Sequence, residues 1–268
     1  MGKLLRYLFD AFIALMVVLC ILPFGMMLVT SLQKTTTLDF KISWDKFTLD
    51  NYIHLFSAQG LGKALLTSTI VTLLAIVMNV LICVLAAYGF AFKKFPGSEK
   101  IFWIYLLTLM VPGQVTMIPL FLMFKKMGIL GSYFSLAIPF IGAFGVFLIR
   151  QFMSSVPKSL LEAAKIDGAS DFRILVRIVV PLIRPVLVAL AIFTFLNAWN
   201  DFLWPLITLS SDEAKTVTLA VAQLSGKFLT QYGMVMAGSV VAFTVPFLVY
   251  CFMQKSFVQG IALSGIKG

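Results

Sequence analysis

Six stretches of this chain, at about 8–32, 65–92, 101–124, 134–153, 186–206 and 234–253, are apolar nearly throughout. Each approaches or exceeds the roughly 20 residues that a helix needs to cross the hydrocarbon core of a bilayer. That feature constrains the fold more than any other. In hydrocarbon every backbone N–H and C=O must be satisfied internally, which leaves only helices and closed barrels. The blocks are continuous and lack period-two alternation, so the pattern predicts an all-α membrane protein with six transmembrane helices. Composition agrees. Hydrophobic residues make up 60 % of the 268 and charged residues 12 %, too few charges to clothe a water-soluble globule. The first run follows Lys3 and Arg6 and contains Pro23. It is long and lacks a small-residue cleavage site, so it reads as an uncleaved span rather than a signal peptide.

The net charge of +10 does not point to nucleic acid, because the basic residues flank the apolar blocks and form no stripe of their own. With the N-terminus inside, the inner segments carry 13 basic residues and the outer segments 8, and all five arginines fall inside. The positive-inside rule then predicts both termini in the cytoplasm. Cys20, Cys83 and Cys251 lie within apolar runs and read as buried small hydrophobes. His54 stands alone in an outer segment. No hydrolase or metal-binding motif is present, so an intramembrane enzyme has no visible machinery.

Two spans are irregular. One holds Pro112, Gly113, Gln114 and Pro119, and the next holds Pro139, Gly142 and Gly145. Helix breaks survive in a membrane where they are buried in protein or line a water-filled cavity, so they read either as packing kinks or as the border of a translocation path. Asn197, Asn200 and Asp201 lie at the outer end of the fifth span. Trp199 and Trp204 beside them suggest an interfacial aromatic belt; the alternative is that the polar groups line the path. Asn197 and Asp201, four apart, are expected on one helix face. Gln114 and Asn79 are weaker path candidates.

The segment 154–181 is the most informative. Ser155 or Ser159 is positioned to cap a short helix, with Pro157 in its first turn. Ser159 and Glu162 have capping-box spacing. Gly168 suits the left-handed residue that ends a helix. Ser170 then caps a second helix, with Asp171 at its positive end. The expectation is a helix–glycine–helix loop on which Ala163 and Ala164 leave a low-relief face for another protein.

Glu162, Ala163 and Ala164, then Gly168, Ile178, Val180 and Pro181 reproduce the spacing of the EAA signature of bacterial ABC importer permeases, with Val180 in place of leucine. The run from Glu162 to Ser170 resembles the carbohydrate-uptake branch and, within it, the maltose-type second permease. Leu49 to Tyr52, Pro112 to Pro119, Asn197 to Leu206 and Gln254 to Gly268 extend the resemblance over nearly the whole chain. It implies a MetI-like permease fold in one transmembrane domain, 1–268, with a coupling loop at 154–181 and a cytoplasmic tail at 254–268.

The resemblance also implies a mechanism. Glu162, Ala163, Ala164, Asp167 and Gly168 would dock into the ATPase subunit. Gln259, Gly260, Gly265 and Lys267 would reach the ATPase dimer. An outer loop with Gly226, Lys227, Phe228 and Tyr232 would probe the binding protein, following a short surface helix at 216–224. The chain has no phosphate-binding loop, so it is expected to be non-catalytic and without a cofactor of its own. ATP and Mg would belong to two partner ATPase subunits, beside a second permease and an extracytoplasmic sugar-binding protein, in the bacterial cytoplasmic (inner) membrane. The alternative is an ATP-independent secondary transporter or channel, which would favour ionisable groups at the membrane centre. Sugar oligomers, monosaccharides, polyols and glycerol-phosphate-like cargo all remain open.

Overall fold

The computed structural model describes residues 2–37, 44–93, 95–209, 215–226 and 231–265. Lys227, Phe228 and Lys267 lie outside the described residues. Among those described the chain is helical, apart from turns and a single antiparallel bridge between Gln33 and Phe47. Three helices are long and apolar enough to cross a membrane alone, Leu5–Ser31, Leu61–Phe92 and Tyr232–Gln254, and three bent pairs raise the number to six.

The chain divides into two compact units, Met1–Leu65 with Val217–Phe247, and Leu66–Thr216 with Leu248–Gly268. The first holds α1 (Gly2–Ser31), α2 (Asp50–Ser57), the start of α3 (Leu61–Phe92), α13 (Val217–Gln223) and the first half of α14 (Tyr232–Gly265). No residue in the apolar window of α1 is buried, so Phe9, Phe12, Ile21 and Leu22 require a surrounding of lipid or protein. Below α1 the chain is fastened by polar bonds. Asn51 donates from Nδ2 to the carbonyls of Ser31 and Gln33 at 2.8 and 3.0 Å. Gly233 donates its N–H to Thr35 O at 3.2 Å. Tyr232, expected on a loop, instead opens α14 and is half-buried. That helix continues as far as Gly265, so Gln259 and Gly260 are helical.

Among the described residues the second unit holds the rest of α3 and of α14 together with α4 (Ser98–Leu107), α5 (Gly113–Lys126), α6 (Tyr133–Ala137), α7 (Ala143–Met153), α8 (Lys158–Ile166), α9 (Asp171–Ile174), α10 (Val180–Leu182), α11 (Arg184–Asn200) and α12 (Leu203–Thr208). The third and fourth apolar blocks are broken rather than straight, and the fifth is entered through a bend from the loop before it. Ser98–Met110 meets Gly113–Lys126 at 103°, Tyr133–Phe140 meets Ala143–Met153 at 50°, and Asp171–Leu182 meets Arg184–Asn200 at 80°. The first break comes where Val111 precedes Pro112, a position driven out of the helical region by the proline ring. At the second, Ile141 and Gly142 are both extended. At the third, a π-helical turn over Leu175–Val179 leads into Pro181, and Ile183 leaves the helical region just before Arg184.

The core of this unit joins α3 to α7, α9 and α11 through Cys83, Ala87, Val146, Ile149, Ile174 and Leu190. Glycine at 145 lets the helices meet, since a Cβ there would stand 2.6 Å from Cys83 Sγ and 3.2 Å from Leu190 Cδ2. Of the three cysteines only Cys83 is buried; Cys20 and Cys251 are exposed on outward faces, contrary to the expectation. Hydropathy cannot separate the two cases, because lipid-facing and core positions are equally apolar.

Candidate functional site

The breaks after α4 and before α7 both open onto one cavity of about 620 Å³. Gly113, Gln114 and Thr116 line it from the first break, Pro139, Gly142 and Gly145 from the second. Asn79 of α3 and Thr194, Asn197 and Asp201 of the fifth block complete its polar wall. Phe144, Phe193 and Trp204 present aromatic surface. None of the lining residues is Lys, Arg or His.

The amide of Asn79 organises the wall. It donates to Thr194 Oγ1 at 2.8 Å and accepts from Cys83 Sγ at 3.1 Å. The Thr194 hydroxyl in turn donates to Leu190 O at 2.8 Å. Asn197 donates to Phe193 O at 2.8 Å, which holds its amide along α11. Asp201 has an extended backbone just beyond α11, so it does not continue the face of Asn197 as a helix would. Its carboxylate instead lies beside the backbone N–H groups of Phe202, Leu203 and Trp204, the orphan donors where α12 begins.

Asn200 lies off the cavity, exposed and donating to Leu196 O at 2.8 Å. Trp199 and Trp204 form no interfacial belt. Trp199 and Trp204 are 2 % and 3 % exposed. The Trp204 indole N–H donates to Ser135 O at 2.8 Å, and its ring meets Phe124 edge-on at 5.9 Å. A buried indole needs that partner, and the acceptor lies 69 positions away in the chain.

A second feature is the surface loop. α8 starts after Pro157 and carries no side-chain cap. Ser155 donates instead to Phe152 O, so neither expected serine caps the helix. Its other end is as expected. Gly168 has φ +76°, its N–H reaches Lys165 O at 3.0 Å, and the Ala169 N–H reaches Ala164 O at 2.9 Å, which is a Schellman closure. Ser170 caps α9 by accepting from Arg173 N. Glu162, Ala163 and Asp167 are exposed, while Ala164 turns into the core. Successive residues on a helix diverge by about 100°, so the two alanines share no face.

A groove of about 770 Å³ runs between α8 and the end of α3, lined by Glu162, Lys158, Tyr88 and Lys93 among others. Lys93 Nζ lies 2.5 Å from Asp171 Oδ2. In this segment outside the spans, the hydrogen bond from Lys93 holds the Asp171 carboxyl below the usual carboxylate range. Arg150 pairs with Glu99 and lies 3.8 Å from the centroid of the Phe102 ring.

Residues 79–262 match the protein family described as binding-protein-dependent transport system inner membrane component. The chain belongs to this family. The matched span takes in both the cavity wall and the surface loop. Among individual relatives of this permease, the arabinooligosaccharides transport system permease protein AraQ of Halalkalibacterium halodurans is 34 % identical over 82 % of this chain and 80 % of its own. The lactose transport system permease protein LacG of Rhizobium radiobacter is 34 % identical over 93 % of this chain and 92 % of its own. The fold matches that of a chain from a bacterial ABC transporter involved in import of the acidic polysaccharide alginate. The TM-score is 0.83 at 20 % identity, covering 95 % of this chain and 97 % of the other.

Three of the four path candidates read from the permease sequence, Gln114, Asn197 and Asp201, therefore share one cavity, and Asn200 does not. What the sequence left faint was Asn79, whose partner Thr194 is 115 positions distant. Asn79→Leu should lower the unfolding midpoint of the purified permease modestly, by the equivalent of about 1 kcal/mol. The loss is bounded because Thr194 keeps its bond to Leu190. Thermal unfolding in detergent checks this, and a fall several times larger would mean that the amide supports more than this one pair.

Proposed function

We propose that this permease forms half of the membrane path of an ATP-driven importer for sugars, with a second permease supplying the other half. The observation that carries this reading is the cavity. Two helix breaks open on the same space, and the wall offers amides, hydroxyls, one carboxylate and aromatic faces with no cationic side chain. Amides and hydroxyls exchange hydrogen bonds with sugar hydroxyls, and aromatic faces suit the apolar faces of sugar rings. The transport of arabinooligosaccharides and lactose by the systems of the two relatives supports the same cargo class.

In this reading the chain is non-catalytic and two ATPase subunits hold ATP and Mg. Glu162, Ala163, Asp167 and Gly168 form the docking surface for one of them, with Ala164 seating the helix from beneath. Both termini lie in the cytoplasm, where Gln259, Gly260, Gly265 and Lys267 approach the ATPase pair. Gly226, Lys227, Phe228 and Tyr232 belong to the opposite side, toward an extracytoplasmic sugar-binding protein.

Affinity purification of the full chain from its own cells should bring down an ATPase and a second permease. Recovery of this chain alone, together with sugar movement by it alone in liposomes, would replace the importer reading with an ATP-independent carrier.

A further inference from the structure

We propose that Lys93 and Asp171, backed by Tyr88, form the strut through which the coupling loop moves α3 and, with it, the cavity wall; this rests on the importer reading above. Lys93 follows the last turn of α3 directly, its N–H still bonded to Gly89 O at 3.1 Å. Asp171 opens α9, three residues past the Gly168 turn. The three side chains converge. Lys93 Nζ stands 2.5 Å from Asp171 Oδ2, the Tyr88 hydroxyl donates to Asp171 Oδ1 at 3.5 Å, and Lys93 Nζ lies 5.9 Å from the centre of the Tyr88 ring. The start of a helix favours an ionised carboxylate, which keeps the pair charged.

α3 runs unbroken from Leu61 to Phe92. Asn79, which fixes the cavity wall through Thr194, precedes Tyr88 by nine positions on that helix, about 14 Å along the axis. One rigid element thus carries the loop contact near one end and the wall contact further along. The ion pair between Arg150 and Glu99 joins α7 to α4 and not the loop to α3. Apolar packing of Ile174 and Leu175 also seats the loop, but such contacts are non-directional. The carboxylate–ammonium–hydroxyl cluster has a direction and fixes register. Its two charged side chains are 40 % and 52 % exposed, so the pair adds little to folding, and its removal should leave assembly intact.

Cys83 provides a native reporter, since its thiol donates to Asn79 Oδ1 on the wall. With Cys20 and Cys251 changed to serine, the whole complex in liposomes is exposed to a maleimide with and without a non-hydrolysable ATP analogue. The analogue should change the rate of Cys83 labelling. Lys93→Met and Asp171→Asn should each shrink that change by about two- to fivefold at unchanged complex yield. The double variant should be no worse than either single one, because the pair acts as a unit. The swap of Lys93→Asp with Asp171→Lys should restore part of the response. A response equal to the parent in both single variants, no response in the parent, independent effects that multiply in the double variant, or failure of the single variants to assemble would each overturn the strut. Failure of the parent chain to bind any ATPase would count against the importer reading instead.

Discussion

Gly168→Val should reduce uptake by the assembled importer by about five- to thirtyfold while the chain still inserts and assembles. The residue holds φ +76°. Nothing lies within 4 Å of the place a Cβ would take, so no steric clash is involved and the whole effect is conformational. A non-glycine residue in the left-handed region costs roughly 1–2 kcal/mol, and a β-branched one is worse placed still. The strain falls on the turn between α8 and α9, which the importer reading makes the contact with the ATPase. The turn would relax by giving up the bonds of Gly168 and Ala169 to Lys165 and Ala164, and α8 would lose its fixed angle to α9. Gly168→Asn is the matched control, because asparagine visits this region at low cost. Uptake and ATP hydrolysis by the purified complex, measured for both variants, decide the matter. A valine variant that transports like the parent would remove the turn from coupling.

Gly233→Ala should be the most damaging single-methyl change in the chain's first unit. A Cβ there would lie 2.0 Å from the carbonyl oxygen of Gln33 and 2.8 Å from Asn51 Nδ2. The first neighbour is backbone and cannot rotate away. The second is the amide that bonds both Ser31 O and Gln33 O, so moving it breaks a buried polar arrangement. Overpacking of this kind costs about 1–3 kcal/mol and sometimes more. The expected result is a clear fall in folded yield and unfolding temperature in detergent. Gly62→Ala is the internal comparison. Its Cβ would meet Phe56 Cδ1 at 3.7 Å, an ordinary contact, and alanine within a helix is favoured over glycine by roughly 0.5–1 kcal/mol. Equal behaviour of the two variants would mean that the close approach at Gly233 relaxes without cost.

Features that are local in the chain were legible in advance. The positive φ at Gly168 and the cap at Ser170 follow from residues within a few positions of each other. The sites of the first two helix breaks follow from Pro112 and from Pro139 with Gly142, though nothing local sets the bends of 103° and 50°. The expectation failed where one side chain had two local options. Ser159 had capping-box spacing, yet Pro157 occupies the cap position and α8 begins without a side-chain bond. Ala163 and Ala164 were read as a pair, yet helical geometry turns one out and one in.

By itself the sequence determined that the chain must be helical and membrane-embedded, because long apolar runs with few charges can satisfy their backbone in no other way than those open to a bilayer. It also determined the loop with its glycine turn, because capping and left-handed residues act over one helical turn. Only the tertiary structure decided which polar groups meet. Asn79 finds Thr194, Trp204 finds Ser135 and Lys93 finds Asp171 across separations of 115, 69 and 78 positions. It decided too that Asn197 faces the cavity and Asn200 does not. In a membrane the hydrophobic effect does not distinguish lipid from core, so the faces of these helices are set by packing and hydrogen bonds between distant segments. A single chain read in order carries no signal of those partners.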